Sequence, residues 1–197
     1  MICALVLAAG RSQRMGTQKL LLPVGGQPMI TRIVDQVGGS PIDRIFAVVG
    51  PDGDRIVAAL AGRPVTFVVN PDEQGEMLSS VRCGLAALPP ECTAALIVLG
   101  DQPGLTANVV AQLLRAFQTA DRGLIVPTAD GRRGHPLLVA LRYRDEILAG
   151  YETLGLRGLL RAHPEDVHEV EVGTPRILED LDTPQDFERL ADRECFR

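Results

Sequence analysis

Gly10-Arg11-Ser12-Gln13-Arg14-Met15-Gly16 and the nearby Lys19 bring two glycines and three cations together directly behind a short apolar run. Backbone amides in a glycine-bearing loop, helped by positive side chains, can wrap a polyanion, so phosphate is the ligand that this chemistry suits. The spacing fits neither common phosphate loop. A Walker loop needs Lys straight after its second glycine, where this chain has Thr17, and Gly10 and Gly16 are one residue too far apart. The dinucleotide fingerprint Gly-x-Gly-x-x-Gly is also absent. Taken alone, the stretch is either a phosphate cradle or a solvated basic turn.

A second candidate is Asp101, in Gly100-Asp101-Gln102-Pro103-Gly104-Leu105-Thr106, behind the apolar run 94–99. In open α/β sheets ligands sit outside the carboxyl ends of the strands, where both Asp101 and the Gly10 loop would emerge. A carboxylate beside a triphosphate is repelled unless a divalent cation intervenes, and Mg2+ suits carboxylate plus phosphate oxygens. The competing reading is a turn-forming or capping Asp. Ser79 and Ser80 lie near the start of an expected helix, where hydroxyls and unpaired amides receive either a phosphate or the polar edge of a base, or merely cap. His135 stands in the basic turn Asp130-Gly131-Arg132-Arg133-Gly134-His135-Pro136, and His163 and His168 belong to no motif. Asp180 and Asp182 precede Thr183-Pro184, a pair that reads as a helix start.

The elements that must position these groups are short and regularly spaced. Apolar runs at 1–7, 45–50, 65–69, 94–99 and 124–126 read as strands, and helices are expected over 29–37, 54–60, from about 77, and 107–118. Pro28 opens the first helix and Gly38-Gly39 closes it. Strand-helix alternation with continuously apolar strands predicts an α/β fold: a Rossmann-like, doubly wound, mostly parallel sheet covered on both faces. Beyond residue 126 the chain is expected to leave the regular sheet at 137–141.

At 197 residues the chain has room for one domain, with 1–120 expected to bind nucleotide and 121–197 to bind an acceptor. A net charge of -5 argues against a general binder of nucleic-acid backbones, so any anion site must be local. The four cysteines, Cys3, Cys83, Cys92 and Cys195, show no Cys-x-x-Cys pair and no zinc spacing with histidine. They read as buried or incidental thiols. Neither a charged-then-apolar leader nor an apolar run of membrane-spanning length is present, so a reduced, cytoplasmic protein is expected.

The string Leu7-Ala8-Ala9-Gly10-Arg11-Ser12-Gln13-Arg14-Met15-Gly16 with Lys19 resembles the nucleotide-binding signature of the molybdenum-cofactor nucleotidyltransferases, the MobA-like NTP transferases. Its Leu-Ala-Ala-Gly form is similar to the cytidylyl branch, where the guanylyl branch usually has Leu-Ala-Gly-Gly. The resemblance implies phosphate contacts from Arg11, Arg14, Gly16 and Lys19, with Met15 in the same nucleotide-binding loop. Leu7, Ala8, Ala9 and Gly10 are expected to flank the base together with Ser79 and Ser80. Ser-Val-x-x-Gly-Leu at 80–85 is similar to the base-reading segment of cytidylyltransferases, although Gly75-Glu76-Met77-Leu78-Ser79-Ser80 departs from the usual Gly-Met-Ser-Ser-Ser.

Gly-Asp-Gln-Pro-x-x-Thr at 100–106 matches the family's metal motif, which makes Asp101 the first Mg2+ ligand; Asp180 or Asp182 is the implied second. Arg133, Gly134 and His135 resemble an acceptor-side motif, and Arg157 belongs to a string like the family's Gly-Ala-Arg-x-Leu-Leu. The Asp that precedes the latter string in the family is missing here. The implied activity is transfer of CMP from CTP to a molybdopterin-type acceptor with pyrophosphate release, Arg14, Lys19 and Asp101 being the catalytic set. A target molybdoenzyme is a candidate downstream partner, with neither nucleic acid nor membrane involved. Competing readings are a guanylyl, sugar-phosphate or phospholactate transferase of the same fold, and a non-catalytic carrier. Retention of Arg14, Lys19 and Asp101 speaks against the carrier, because a retired site need not keep such charges.

Overall fold

The computed structural model describes residues 1–10, 18–72, 76–179, 181, 183 and 185–187. Its first strand, β1 (Ile2–Ala8), is buried throughout. The pleat sends Ile2, Ala4, Val6 and Ala8 into one apolar cluster and Cys3, Leu5 and Leu7 into another. Such a strand has no side fit for water, so it must lie mid-sheet with layers on both faces.

A small antiparallel pair, β2 (Pro23–Val24) and β3 (Gln27–Pro28), leads into α1 (Met29–Gly38). That helix buries Met29, Ile30, Ile33, Val34 and Val37, spacings of three and four that make one apolar face. The Gly39 N–H closes it on the Asp35 carbonyl, where the paired glycines place its end. The alternation continues with β4 (Arg44–Val49), α2 (Asp54–Ala59), β5 (Val65–Val69), α3 (Met77–Ala87), β6 (Ala94–Leu99), α4 (Ala107–Thr119) and β7 (Leu124–Ala129). The chain then forms β8 (Arg132–Arg133), β9 (Leu137–Ala140), α5 (Arg144–Ala149), α6 (Leu156–Ala162) and β10 (Val167–Glu171). Residues of α1, α2 and α4 pack into the first cluster, those of α3, α5 and α6 into the second.

The sheet runs β10-β7-β9-β6-β1-β4-β5, with β8 paired to β7. Every pairing is parallel except those made by β8 and β9. This is the expected α/β, Rossmann-like, mostly parallel architecture. From β1 the chain moves outward to β4 and β5, then returns to place β6 on the other side of β1. Such a reversal opens a crevice between the carboxyl ends of the two central strands.

Three expectations are corrected, and one strand is added. The segment 137–141 does not leave the sheet: β9 is inserted antiparallel between β6 and β7, with all four of its residues buried. The turn at Asp130 (φ 51) and Gly131 (φ 70) reverses the chain, and its left-handed residues suit a tight hairpin. Coverage on both faces fails at β5, an edge strand with Phe67 36% and Val69 59% exposed. The opposite edge, β10, is mostly polar, with Val167 and Val170 three residues apart, so neither an apolar run nor an alternation marks it as a strand. Lastly, Cys3 and Cys92 are not thiols but a disulfide, with Cα atoms 6.5 Å apart. Cys3 lies opposite Ala95 in the β1–β6 register and Cys92 just precedes β6, so strand pairing brings them together. Cys83 is free, and Cys195 lies outside the described residues. No helix among the described residues is long and apolar enough to cross a membrane.

Candidate active site

The crevice holds a cavity of about 230 Å³ lined by Leu7, Ala9, Gly10, Lys19, Leu20, Asn70, Asp72, Met77, Ser80, Leu99, Gly100 and Asp101. These residues come from the carboxyl ends of β1, β5 and β6, the turn 19–21 and the first turn of α3. From β5 to β6 the sheet advances three strand spacings, about 14 Å, a length that suits a nucleotide laid across the strand ends. One end carries an ion pair. The Lys19 Nζ donates to the Asp101 Oδ2 over 2.7 Å, the two side chains being 14% and 23% exposed. The end over β5 and α3 presents the amide, hydroxyl and apolar groups of Asn70, Ser80 and Met77, and the Asp72 carboxylate.

Gly10 is open on the side of the described residues, since a Cβ there would meet none of them within 4 Å. Gly100 is the reverse case. Its N–H donates to the Leu7 carbonyl over 3.1 Å, and an added Cβ would stand 2.7 Å from that same oxygen. Lack of a side chain at Gly100 thus lets β6 end tightly against β1 and aims Asp101 into the crevice. We expect Gly100→Ala to lower stability by about 1–3 kcal/mol, as for other overpacked sites. A urea melt checks this, and an unchanged midpoint would mean that the strand ends have room to spare.

The expected site residues divide into three groups. Leu7, Ala9, Gly10, Lys19, Ser80 and Asp101 line one cavity. Ala8 is buried behind it with its side chain in the core, and Ser79 turns onto Asn70, with which it exchanges hydrogen bonds of 2.9 and 3.2 Å. The acceptor-side residues do not join this lining. Arg133 pairs with Glu169 over 2.6 Å on the exposed edge of the sheet, and Arg157 is exposed on α6. The His135 N–H donates to the Ile177 carbonyl over 3.3 Å, and Gly134 packs so closely on that carbonyl that a Cβ would stand 2.5 Å away. Arg11, Arg14, Met15, Gly16, Asp180 and Asp182 lie outside the described residues. Leu181, between the two acids, donates its N–H to the Asp101 carbonyl over 3.2 Å, which sets this part of the C-terminal segment against the β6 loop. Thr183 and Asp186 form a reciprocal cap, so the Thr183 part of that motif is structural.

The MobA-like NTP transferase domain model matches residues 4–167. The chain belongs to this family. The molybdenum cofactor cytidylyltransferase of Escherichia coli (strain K12) is 29% identical over 194 residues, 98% of this chain and 96% of that protein. The crystal structure of Rv0371c from Mycobacterium tuberculosis H37Rv is 27% identical and superposes with a TM-score of 0.87 over 97% of each chain. Its complex with manganese is 26% identical, with a TM-score of 0.83 over 97% of each chain.

As a MobA-like NTP transferase the protein is a nucleotidyltransferase, an activity that needs groups to hold a nucleotide and need not use a protein nucleophile. No cluster of three or more His, Cys, Asp or Glu suited to a metal occurs among the described residues. A Mg2+ ion retains several waters and is commonly held by one or two carboxylates with substrate phosphates, so the Asp101 carboxylate fits that manner of binding.

Sequence reasoning missed Leu20, Asn70, Asp72, Met77, Leu99 and Gly100 as cavity residues. For Asn70 and Asp72 the signal was the one used for Asp101, polar side chains directly behind an apolar parallel strand. The Cys83 thiol, 3.4 Å from the Asn70 Oδ1, is pushed up in pKa by burial and then by the Asp72 charge, which keeps it protonated.

Two further polar clusters fasten the frame. Arg82 on α3 donates to the Ile147 and Gly150 carbonyls over 2.9 and 2.7 Å, satisfying the carboxyl end of α5. On the same helix, α5, the Glu146 carboxylate takes the Tyr151 hydroxyl and His163, which hold it below the usual carboxylate range.

Proposed function

We propose that this MobA-like NTP transferase moves CMP from CTP to the terminal phosphate of a molybdopterin-type acceptor and releases pyrophosphate. The observation that carries the reading is the uneven crevice: Lys19, the cation of the described lining, beside Asp101 at one end, and Asn70, Ser80, Met77 and the Asp72 carboxylate at the other. The phosphates belong at the Lys19 end and the base over β5 and α3. An oxygen of the acceptor phosphate attacks the α-phosphorus, the bond from that phosphorus to the bridging oxygen of the β-phosphate breaks, and pyrophosphate departs with that oxygen. Positioning and charge neutralisation are the main tasks left to the protein. Lys19, with Arg14 and Arg11, neutralises phosphate oxygens, and Asp101 with Asp180 or Asp182 would hold Mg2+. When bound, Mg2+ neutralises charge developing on the phosphate oxygens and orients them. The nucleotide part is assigned to 1–120 and the acceptor part, with Arg133, Gly134, His135 and Arg157, to 121–197.

Ala9 supports cytosine over guanine. It lines the cavity, and a glycine in its place would leave more room for a purine. Differences of one small group in a binding pocket are worth about 1–3 kcal/mol, so we expect at least about tenfold preference for CTP over GTP in kcat/KM. Ala9→Gly should narrow that preference. Pyrophosphate release measured with molybdopterin and each nucleotide tests the proposal as a whole. Equal use of GTP by the wild type would defeat the cytidylyl assignment and leave transferase activity standing, whereas no release with either nucleotide would defeat the acceptor.

A further inference from the structure

Asn70 directly follows β5 and is 1% exposed, yet its side chain reaches the wall of the nucleotide cavity. A buried amide must satisfy its donors and its acceptor separately. The Asn70 Oδ1 accepts the Asp72 backbone N–H over 3.0 Å. A backbone amide can only donate, so this bond settles which side of the Asn70 amide is oxygen. The Nδ2 is therefore the group that faces α3, and it donates to the Ser79 Oγ over 2.9 Å and to the Ser80 Oγ over 3.1 Å.

The two hydroxyls then differ. Ser79 returns its proton to the Asn70 Oδ1 over 3.2 Å, which closes a reciprocal pair. Ser80 accepts from Asn70 and, among the described residues, gives its proton to no acceptor. A serine inside a helix commonly bonds the carbonyl one turn back, but no such bond is made by Ser80 among the described residues. Ser80 is 6% exposed and lines the cavity. Asn70 takes one of the two Ser80 lone pairs while the Ser80 proton has no acceptor among the described residues, so the group that still needs a partner toward the cavity is the donor.

We propose that Asn70 is a positioning residue for base choice: by occupying one lone pair of the Ser80 hydroxyl it turns the hydroxyl proton toward the pyrimidine ring nitrogen N3. The assignment rests on the reading of this cavity as a CTP site and adds the means by which it separates two pyrimidines of the same size. Cytosine carries a lone pair at N3, whereas uracil carries N–H there. The Ser80 proton meets an acceptor in the first case; in the second Ser80 can only accept the N3–H with its remaining lone pair, which leaves its own proton without an acceptor. A buried donor left unpaired is disfavoured. Ala9 acts by volume and cannot make this distinction.

Asn70→Asp supplies the discriminating change. An aspartate still accepts the Asp72 N–H but has no proton to give, so Ser79 and Ser80 must both donate to it, and Ser80 then presents lone pairs to the cavity. That polarity favours the uracil N3–H. The test is equilibrium binding of CTP, UTP and inorganic tripolyphosphate to the wild-type protein, to Asn70→Asp and to Ser80→Ala. The wild type should bind CTP at least about tenfold more tightly than UTP. Ser80→Ala should bring the ratio toward one, and Asn70→Asp should carry it to one or below. The added charge of Asn70→Asp weakens both nucleotides alike through their common phosphates, and a general loosening of α3 also does so, but neither moves the ratio. Tripolyphosphate reports the phosphate end alone and should bind Ser80→Ala as it binds the wild type.

If Asn70→Asp does not yield folded protein, the Ser80→Ala ratio decides the matter. A wild-type protein that binds neither CTP nor tripolyphosphate would remove the underlying reading of the cavity. CTP binding with no preference over UTP, or a preference that survives in the variants, would overturn the role of Asn70 and leave that reading intact.

Discussion

Asp101→Asn is expected to lower kcat by about two to three orders of magnitude, the scale seen when one group aimed at developing charge is removed. Asparagine keeps the shape of the side chain and loses only the charge, so the β6 end and its contact with Leu181 should persist. Two consequences follow from the geometry. The nucleotide loses the carboxylate that would hold Mg2+, so the Mg2+ dependence of CTP binding should weaken along with turnover. Lys19, which pairs with Asp101 over 2.7 Å, also loses an anionic partner and becomes more available to phosphate. CTP binding without metal should therefore hold or improve while turnover falls. Wild-type turnover and an unchanged Mg2+ titration in Asp101→Asn would rule out the ligand role.

Lys19→Ala acts on the same ion pair from the other side and should weaken CTP binding or transition-state stabilisation by about 1.5–3 kcal/mol, the range for hydrogen bonds to charged groups. A solvent-exposed ion pair would be worth far less, about 0–1 kcal/mol. Lys19 and Asp101 are largely shielded at the crevice floor, which is why the larger figure is expected. The two variants share a partner, so their effects should not add in the double variant. The loss should fall equally on CTP and UTP, because Lys19 stands at the end of the crevice proposed for the phosphates. Unchanged CTP affinity and turnover in Lys19→Ala would show that the pair with Asp101 is structural.

The relation between sequence and site is clearest at the strand ends. Buried parallel strands advertise themselves as apolar runs, and the abrupt change of composition behind them marks where a chain emerges at the carboxyl edge of a sheet. Gly10, Lys19 and Asp101 were legible for that reason, although they are separated by up to 91 residues, the interval from Gly10 to Asp101. The first helix was legible from its spacing and its flanking Pro28 and Gly38-Gly39. Local chemistry therefore determined that the protein is α/β, where its central strands lie, and which charged groups stand behind them.

Tertiary structure decided what depends on a partner distant in the chain. Leu137–Ala140 is too short and too uniformly apolar to declare its direction, and only pairing with β6 and β7 makes it an antiparallel insertion. Mostly polar β10, with no strand period in its sequence, is a strand because β7 offers it an edge. Cys3 and Cys92 have no motif, and become a disulfide because neighbouring strands carry them to the same place. Ser79 and Ser80 are indistinguishable in sequence, both lying near the start of α3. Asn70, arriving from another strand, engages both, and only its geometry leaves Ser80 alone with a proton for the cavity. A residue's type and local period set which bonds it can make; which of those bonds it does make is settled by groups brought alongside when the sheet assembles.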